Sequence, residues 1–215
     1  MNRATRITVA TLGTIFGISG MNHGFFETLQ GNTPTHGMFI PAIGEAQRMW
    51  PHGSEYAFTL IPNFLMTGLA AMLIGLAIVV WSIGFVHKKN GPAILLILFV
   101  VLLLAGGGVA QVLFFPWVCL ISTQINAPLT WWRKHLPPKV QGPLSKMWIW
   151  CLAIISALLV FALVIGVTGF IPGVNDPDAV LMTLALCLLA VMAGLPLTFI
   201  SGFAYDIVMN PSGEN

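Results

Sequence analysis

AILLILFVVLLLAGGGVAQVLFFPWVCLISTQINAPLTWW, residues 93–132, sets how many times the chain crosses a membrane. Read as one span followed by a loop, it gives a chain of five membrane crossings. Read as two spans parted near Gly106-Gly107-Gly108, it gives six. Three glycines in a row make poor helix and good turn. The first half, about 92–107, is short against the roughly 20 residues a bilayer requires. The second half, about 109–130, carries Gln111, Pro116, Gln124 and Asn126. Hydropathy leaves both readings open, and the basic residues choose between them. With Arg3 and Arg6 in the cytoplasm, six spans bring Lys88, Lys89, Arg133, Lys134, Lys139 and Lys146 to the same side and leave only Arg48 outside. Five spans send the last four of these across. An excess of lysine and arginine on the cytoplasmic side favours six.

Composition sets the frame for this choice. The chain has 215 residues, 57% hydrophobic and 7% charged, with a mean hydropathy of +0.88. Soluble domains carry about 25% charged residues, so a chain this apolar must have lipid as its solvent. The expected fold is all-α: a polytopic helical bundle, multi-pass in the cell membrane, with its N-terminus cytoplasmic. The formal charge of +2 and the lack of a basic run with interleaved aromatics exclude nucleic-acid binding. Cys119, Cys151 and Cys187 sit in apolar runs at wide spacing, which reads as three small buried hydrophobes and no disulfide framework.

The expected spans are about 7–28, 56–86, 92–107, 109–130, 147–170 and 179–208, in one domain, with 29–55 as an extracytoplasmic loop. Arg3 and Arg6 before an apolar run imitate a signal peptide, read here as a retained signal-anchor span. Gly44–Trp50 reads as a short interfacial helix, and the tail Met209–Asn215 as short and mobile. Gly13, Gly17, Gly20 and Gly24 fall on one stripe of span 1, where a second helix can approach closely. That stripe could also serve homo- or hetero-oligomer contacts. Asp206 reads as a satisfied interfacial residue.

Beside the glycine stripe runs a polar one: Ser19, His23, Glu27 and Gln30. His23 and Glu27 are four residues apart and share one helical face. A carboxylate at this depth facing lipid would cost several kcal/mol, so the flank should face the bundle or a wet cavity. Asn22, His23, Glu27, Gln30, Asn32, His36 and Asn63 form the candidate polar pocket. An imidazole beside a carboxyl can pass protons or bind a metal, and His23 with Glu27 is the candidate metal pair. His36, Glu45, His52 and Glu55 could fold back as further ligands. The second histidine of an HExxH helix is missing, so zinc hydrolysis is not signalled. Equally, His23 and Glu27 could hydrogen-bond to each other, to Asn22, Gln30 or Asn63, and pin two helix ends together. Gly106–Gly108 could line a substrate path in an interrupted helix, or serve as a turn.

At GISGMNHGFFETLQGN (17–32), IPNFLMTG (61–68) and PLTWWRKHLP (128–137) the chain resembles a family of small multi-pass membrane proteins of bacteria and archaea. The resemblance implies membrane residence and a role for His23, Glu27, Gln30, Gly31 and Asn32. It supplies no reaction and no cofactor. Three functions stay open. The first is transport or binding of a small solute, ion or proton through an outward-facing His/Glu pocket. The second is an accessory subunit that acts by helix packing, and the third a membrane-embedded metal or haem enzyme.

Overall fold

The computed structural model describes residues 1–210, so the end of the tail read as mobile, residues 211–215, lies outside the described residues. The protein is mostly helical. Helix α1 spans Arg3–Thr28, α2 Phe64–Gly84, α3 Gly91–Leu104, α4 Phe115–Ser122, α5 Thr130–His135, α6 Pro138–Thr168 and α7 Pro177–Met209. Two three-residue strands, β1 at Phe39–Pro41 and β2 at Tyr56–Phe58, pair antiparallel in the first loop. Helices α2, α6 and α7 are each long and apolar enough to cross a membrane. This is a membrane protein by the length and composition of those helices.

Glycine builds the central pair. Helix α2 runs antiparallel to α1, and the two touch backbone to backbone at two levels. A Cβ on Gly24 would lie 2.5 Å from the carbonyl oxygen of Gly68, and one on Gly68 would lie 2.5 Å from that of Gly24. Gly17 and Gly75 repeat the reciprocal contact at 2.7 and 2.6 Å. The side chain of Ser82 fills the space over Gly13, and Leu102 of α3 fills that over Gly20. All four glycines of the stripe are buried within the chain. The stripe therefore packs against the chain's own α2 and α3.

Helices α4, α6 and α7 pack against α1, and α3 packs against α2. Phe16 of α1 meets Phe99 of α3 and stacks near Phe114 at the head of α4, while Phe99 stacks on Phe115. The Asn2 side chain donates to the carbonyls of Gln124 and Ala127, so α4 descends toward the start of α1. Trp148 of α6 donates to Thr8 at 3.0 Å. Asp206 of α7 accepts from the N–H groups of Ala4 and Thr5 at 2.8 and 2.9 Å and from the Thr5 hydroxyl at 2.7 Å. The first turn of a helix leaves N–H groups without intrahelical partners. Here the last turns of α7 supply the acceptor. Asp206 is thus satisfied, as read from the sequence.

Both described ends of the chain lie at this end of the bundle. The α2–α3 turn, α5 and the start of α6 lie there too. With them come Arg3, Arg6, Lys88, Lys89, Arg133, Lys134, Lys139 and Lys146. Glu27, Glu45, Glu55, Asp176 and Asp178 gather at the opposite end, where Arg48 is the one basic residue among those described.

Helix boundaries differ from the sequence reading where backbone pairing overrides apolar runs. The second helix starts at Phe64, not near residue 56, because Tyr56–Phe58 is strand on both edges. One edge pairs with β1. On the other, the N–H groups of Gly106 and Val109 donate to the carbonyls of Phe58 and Tyr56 at 2.9 and 3.1 Å, and Leu60 donates to Leu104 at 2.9 Å. Pro62 then ends the extended segment and Asn63 caps α2 through Met66 N–H at 3.0 Å. Residues 109–130 are not one helix. They form a 3₁₀ turn at Ala110–Leu113, the short α4, and a loop. The interfacial helix expected at Gly44–Trp50 shrinks to a 3₁₀ turn at Glu45–Gln47. The fifth apolar run is helical from Pro138 rather than from 147, with Pro138 at its first turn and Gly169 closing it at φ +64°.

Candidate functional site

The site grows from the break that the triple glycine makes. Helix α3 stops at Leu104 and the chain turns back at the level of Glu27, near the end of α1. Gly106 and Gly108 take φ of +95° and +92°, a conformation open to glycine and strained for other residues. Their second requirement is space. A Cβ on Gly106 would lie 2.5 Å from Oε2 of Glu27, and one on Gly108 would lie 2.7 Å from Nε2 of His23. The loop is laid flat over the polar flank of α1. Its backbone is not left unpaired at this depth: β2 takes the Gly106 N–H, and the Gln111 side chain donates to the Gly107 carbonyl at 2.6 Å. Thr67 of α2 donates to the Ala105 carbonyl at 2.8 Å and shares a 2.6 Å hydrogen bond with Thr59. Irregular backbone inside a membrane bundle needs such internal partners.

His23 and Glu27 do not bond to each other. The Nε2 of His23 lies 3.1 Å from Oε2 of Glu55, at the end of the first loop. The imidazole is buried and the carboxyl half-exposed, at 7% and 43% of side-chain accessibility, so the pair runs from the interior to the mouth. The other oxygen of Glu55 accepts from Ala110 N–H at 3.0 Å. Burial opposes the charged form of Glu55. The His23 charge, the His23 hydrogen bond and the Ala110 N–H outweigh it and hold the carboxyl below its ordinary value. Glu27 is fully buried, and neither of its oxygens has a hydrogen-bond partner among the described residues. The Nδ1 of His23 is likewise without one.

Beside His23 opens a cavity of about 300 Å³ between α1, the 3₁₀ turn after the glycines, α6 and α7. Its walls are apolar: Phe16, Phe26, Phe114, Leu159, Leu163 and Leu184 among others. One corner is polar, formed by Ser19, Asn22, His23, Glu55 and Gln111. Gln111 reaches Ser19 at 3.3 Å. The first loop straps over the top. Trp50 lies against Gly169 and donates to the Gly166 carbonyl at 3.0 Å, and His52 meets Asp178 at 3.1 Å.

The predicted pocket residues divide into three groups. Asn22 and His23 line the cavity, and Glu27 sits beneath the glycine loop. Gln30, Asn32 and Asn63 are ties: Gln30 donates to the carbonyls of Pro41 and Ala42, and Asn63 donates to Asn32 at 2.7 Å. His36 is exposed in the loop at φ +55° and does not line the cavity. Of the loop residues expected to fold back, Glu55 alone reaches His23. Among the described residues no three His, Cys, Asp or Glu side chains gather to hold a metal, so the His23–Glu27 metal pair acquires no further ligands. Gln111, Trp50 and Asp178 were missed as site residues. A lone amide inside an apolar run was the available signal for Gln111, because such a group needs a partner away from lipid.

Comparison with family models, with curated proteins and with solved structures finds no match to this chain. Its own helices and this site define a mostly helical membrane protein with a small apolar cavity polar at one corner.

Proposed function

We propose that the protein is a six-pass protein of the cell membrane that binds a small, neutral, mostly apolar molecule carrying one hydroxyl or carbonyl group. The return of α4 beside α3 and the gathering of basic residues at one end support six passes with the N-terminus cytoplasmic. The cavity then opens toward the outer half of the bilayer.

The observation that carries the reading is the cavity's composition. Small-molecule sites are mostly apolar, of about 300–1,000 Å³, with a few placed polar groups that fix orientation. Here the polar groups are gathered at the corner of Ser19, Asn22, His23, Glu55 and Gln111, beside walls of apolar side chains. Glu55 already balances His23, so a neutral head group matches the corner better than a charged one. An ion or sugar would meet too few polar partners along the wall.

A photoactivatable prenyl alcohol is the probe. In native membranes it is expected to label Leu163, Leu184 or Phe114, with unlabelled prenyl alcohol competing and a pure hydrocarbon of equal length competing about tenfold less well. A tenfold difference is about 1.4 kcal/mol, the size of one hydrogen bond. Ala162→Trp, which fills the cavity, should abolish the labelling. Labels spread evenly over lipid-facing positions, unaffected by Ala162→Trp, would overturn the reading.

A further inference from the structure

We infer that Glu27 holds a proton and is the inner member of a proton path, Glu27–His23–Glu55, that reaches the outer mouth of the protein. This goes beyond the binding reading and does not depend on it.

Geometry carries the inference. Glu27 has no solvent exposure, and both its oxygens lack partners. A carboxylate left in that state costs several kcal/mol, and the neutral acid is the form such a site tolerates. The elements packed round it offer no compensating charge. Its own helix brings His23 one turn away. The glycine loop brings backbone alone at Gly106. Thr67 of α2 and Thr59 after β2 are committed to each other and to the Ala105 carbonyl. Among the described residues no lysine or arginine pairs with Glu27.

His23 links this buried acid to water. Its Nε2 faces Glu55, whose carboxyl is half-exposed, and its Nδ1 is buried and unpartnered. Residues i and i+4 on a helix have Cβ atoms about 5–6 Å apart, within reach of one bridging water. The step runs from the neutral imidazole, after the charged form that faces Glu55 has lost its Nδ1 proton to water, and from there it balances. Glu27 O–H gives its proton toward Nδ1 while the Nε2–H passes to Glu55, leaving one proton moved outward and the imidazole in its other tautomer. The glycines matter here because a side chain at Gly106 or Gly108 would occupy the space of the Glu27 carboxyl and the His23 ring.

The test needs no ligand. Infrared spectra of the full chain in lipid nanodiscs at neutral pH should show a protonated-carboxyl stretch in the difference between the natural protein and Glu27→Gln. Transfer into D₂O should shift that band, and His23→Leu should slow the shift at least about tenfold. No such band in the natural protein overturns the proton assignment, whether or not Glu27→Gln folds. An unchanged exchange rate in His23→Leu overturns the path.

Discussion

Gly24→Leu should destabilise the folded bundle by at least about 3 kcal/mol, read as a fall in melting temperature of roughly 10 °C in detergent. The reason is backbone against backbone. The Cβ would lie 2.5 Å from the Gly68 carbonyl oxygen and 2.9 Å from Met72 N, neither of which can swing aside as a side chain does. Separating the helices to admit it would also open the second level, at Gly17 and Gly75, seven residues along each helix. The displacement would reach His23 and Glu27, which flank Gly24 on the same helix. Gly84→Ala is the control. Nothing lies within 4 Å of a Cβ there, at the last residue of α2, so alanine should be neutral or stabilising by about 0.5–1 kcal/mol. Equal losses in the two variants would contradict the packing described.

The second large effect is expected at the other end. Asp206→Ala should cost about 3–5 kcal/mol, because it strands two buried N–H groups and a buried hydroxyl at once. Thr5→Ala removes one of the three donors and should cost about 1 kcal/mol. Asp206→Asn keeps one acceptor oxygen and should fall between them. Thermal unfolding of the three variants in one lipid mixture gives the order. If Asp206→Ala were no worse than Thr5→Ala, the side chain would not be capping α1.

Particular residues show how far the sequence could be read. The apolar runs of α2, α6 and α7 were legible because lipid leaves little alternative to helix. So was the need of Gly13, Gly17, Gly20 and Gly24 for a close neighbour, but their partners Gly68 and Gly75 were not. Pairing two glycine stripes requires knowing the register of two helices, which no local pattern carries. The strand at Tyr56–Phe58 was hidden inside an apolar run, although Tyr56, Ala57 and Phe58 alternate exposed, buried and half-buried as strand residues do. Its extended backbone is fixed by β1 and by the glycine loop, both distant in sequence.

The same limit shaped the site. His23 and Glu27 share a face by helical spacing alone, and that much was visible. The partner of His23 was not, because Glu55 lies 32 residues on and arrives through the hairpin. Gly106–Gly108 announced a break in the helix. That the break would lie on Glu27 and His23 follows only from α3 packing across α1 at Gly20 and Leu102. Cys119 and Cys187 are buried and Cys151 half-buried, all three unpaired, as small hydrophobes in apolar runs should be.

The first loop closes over the cavity by reaching α7 on the same side of the membrane. The most direct test of that closure is a pair of cysteines, His52→Cys with Asp178→Cys, in a chain whose own three cysteines are replaced by serine or alanine. A short bis-maleimide added to native membranes should join them within one chain, as the 3.1 Å contact between His52 and Asp178 requires. Two reactive thiols that the reagent caps separately and never joins would contradict it.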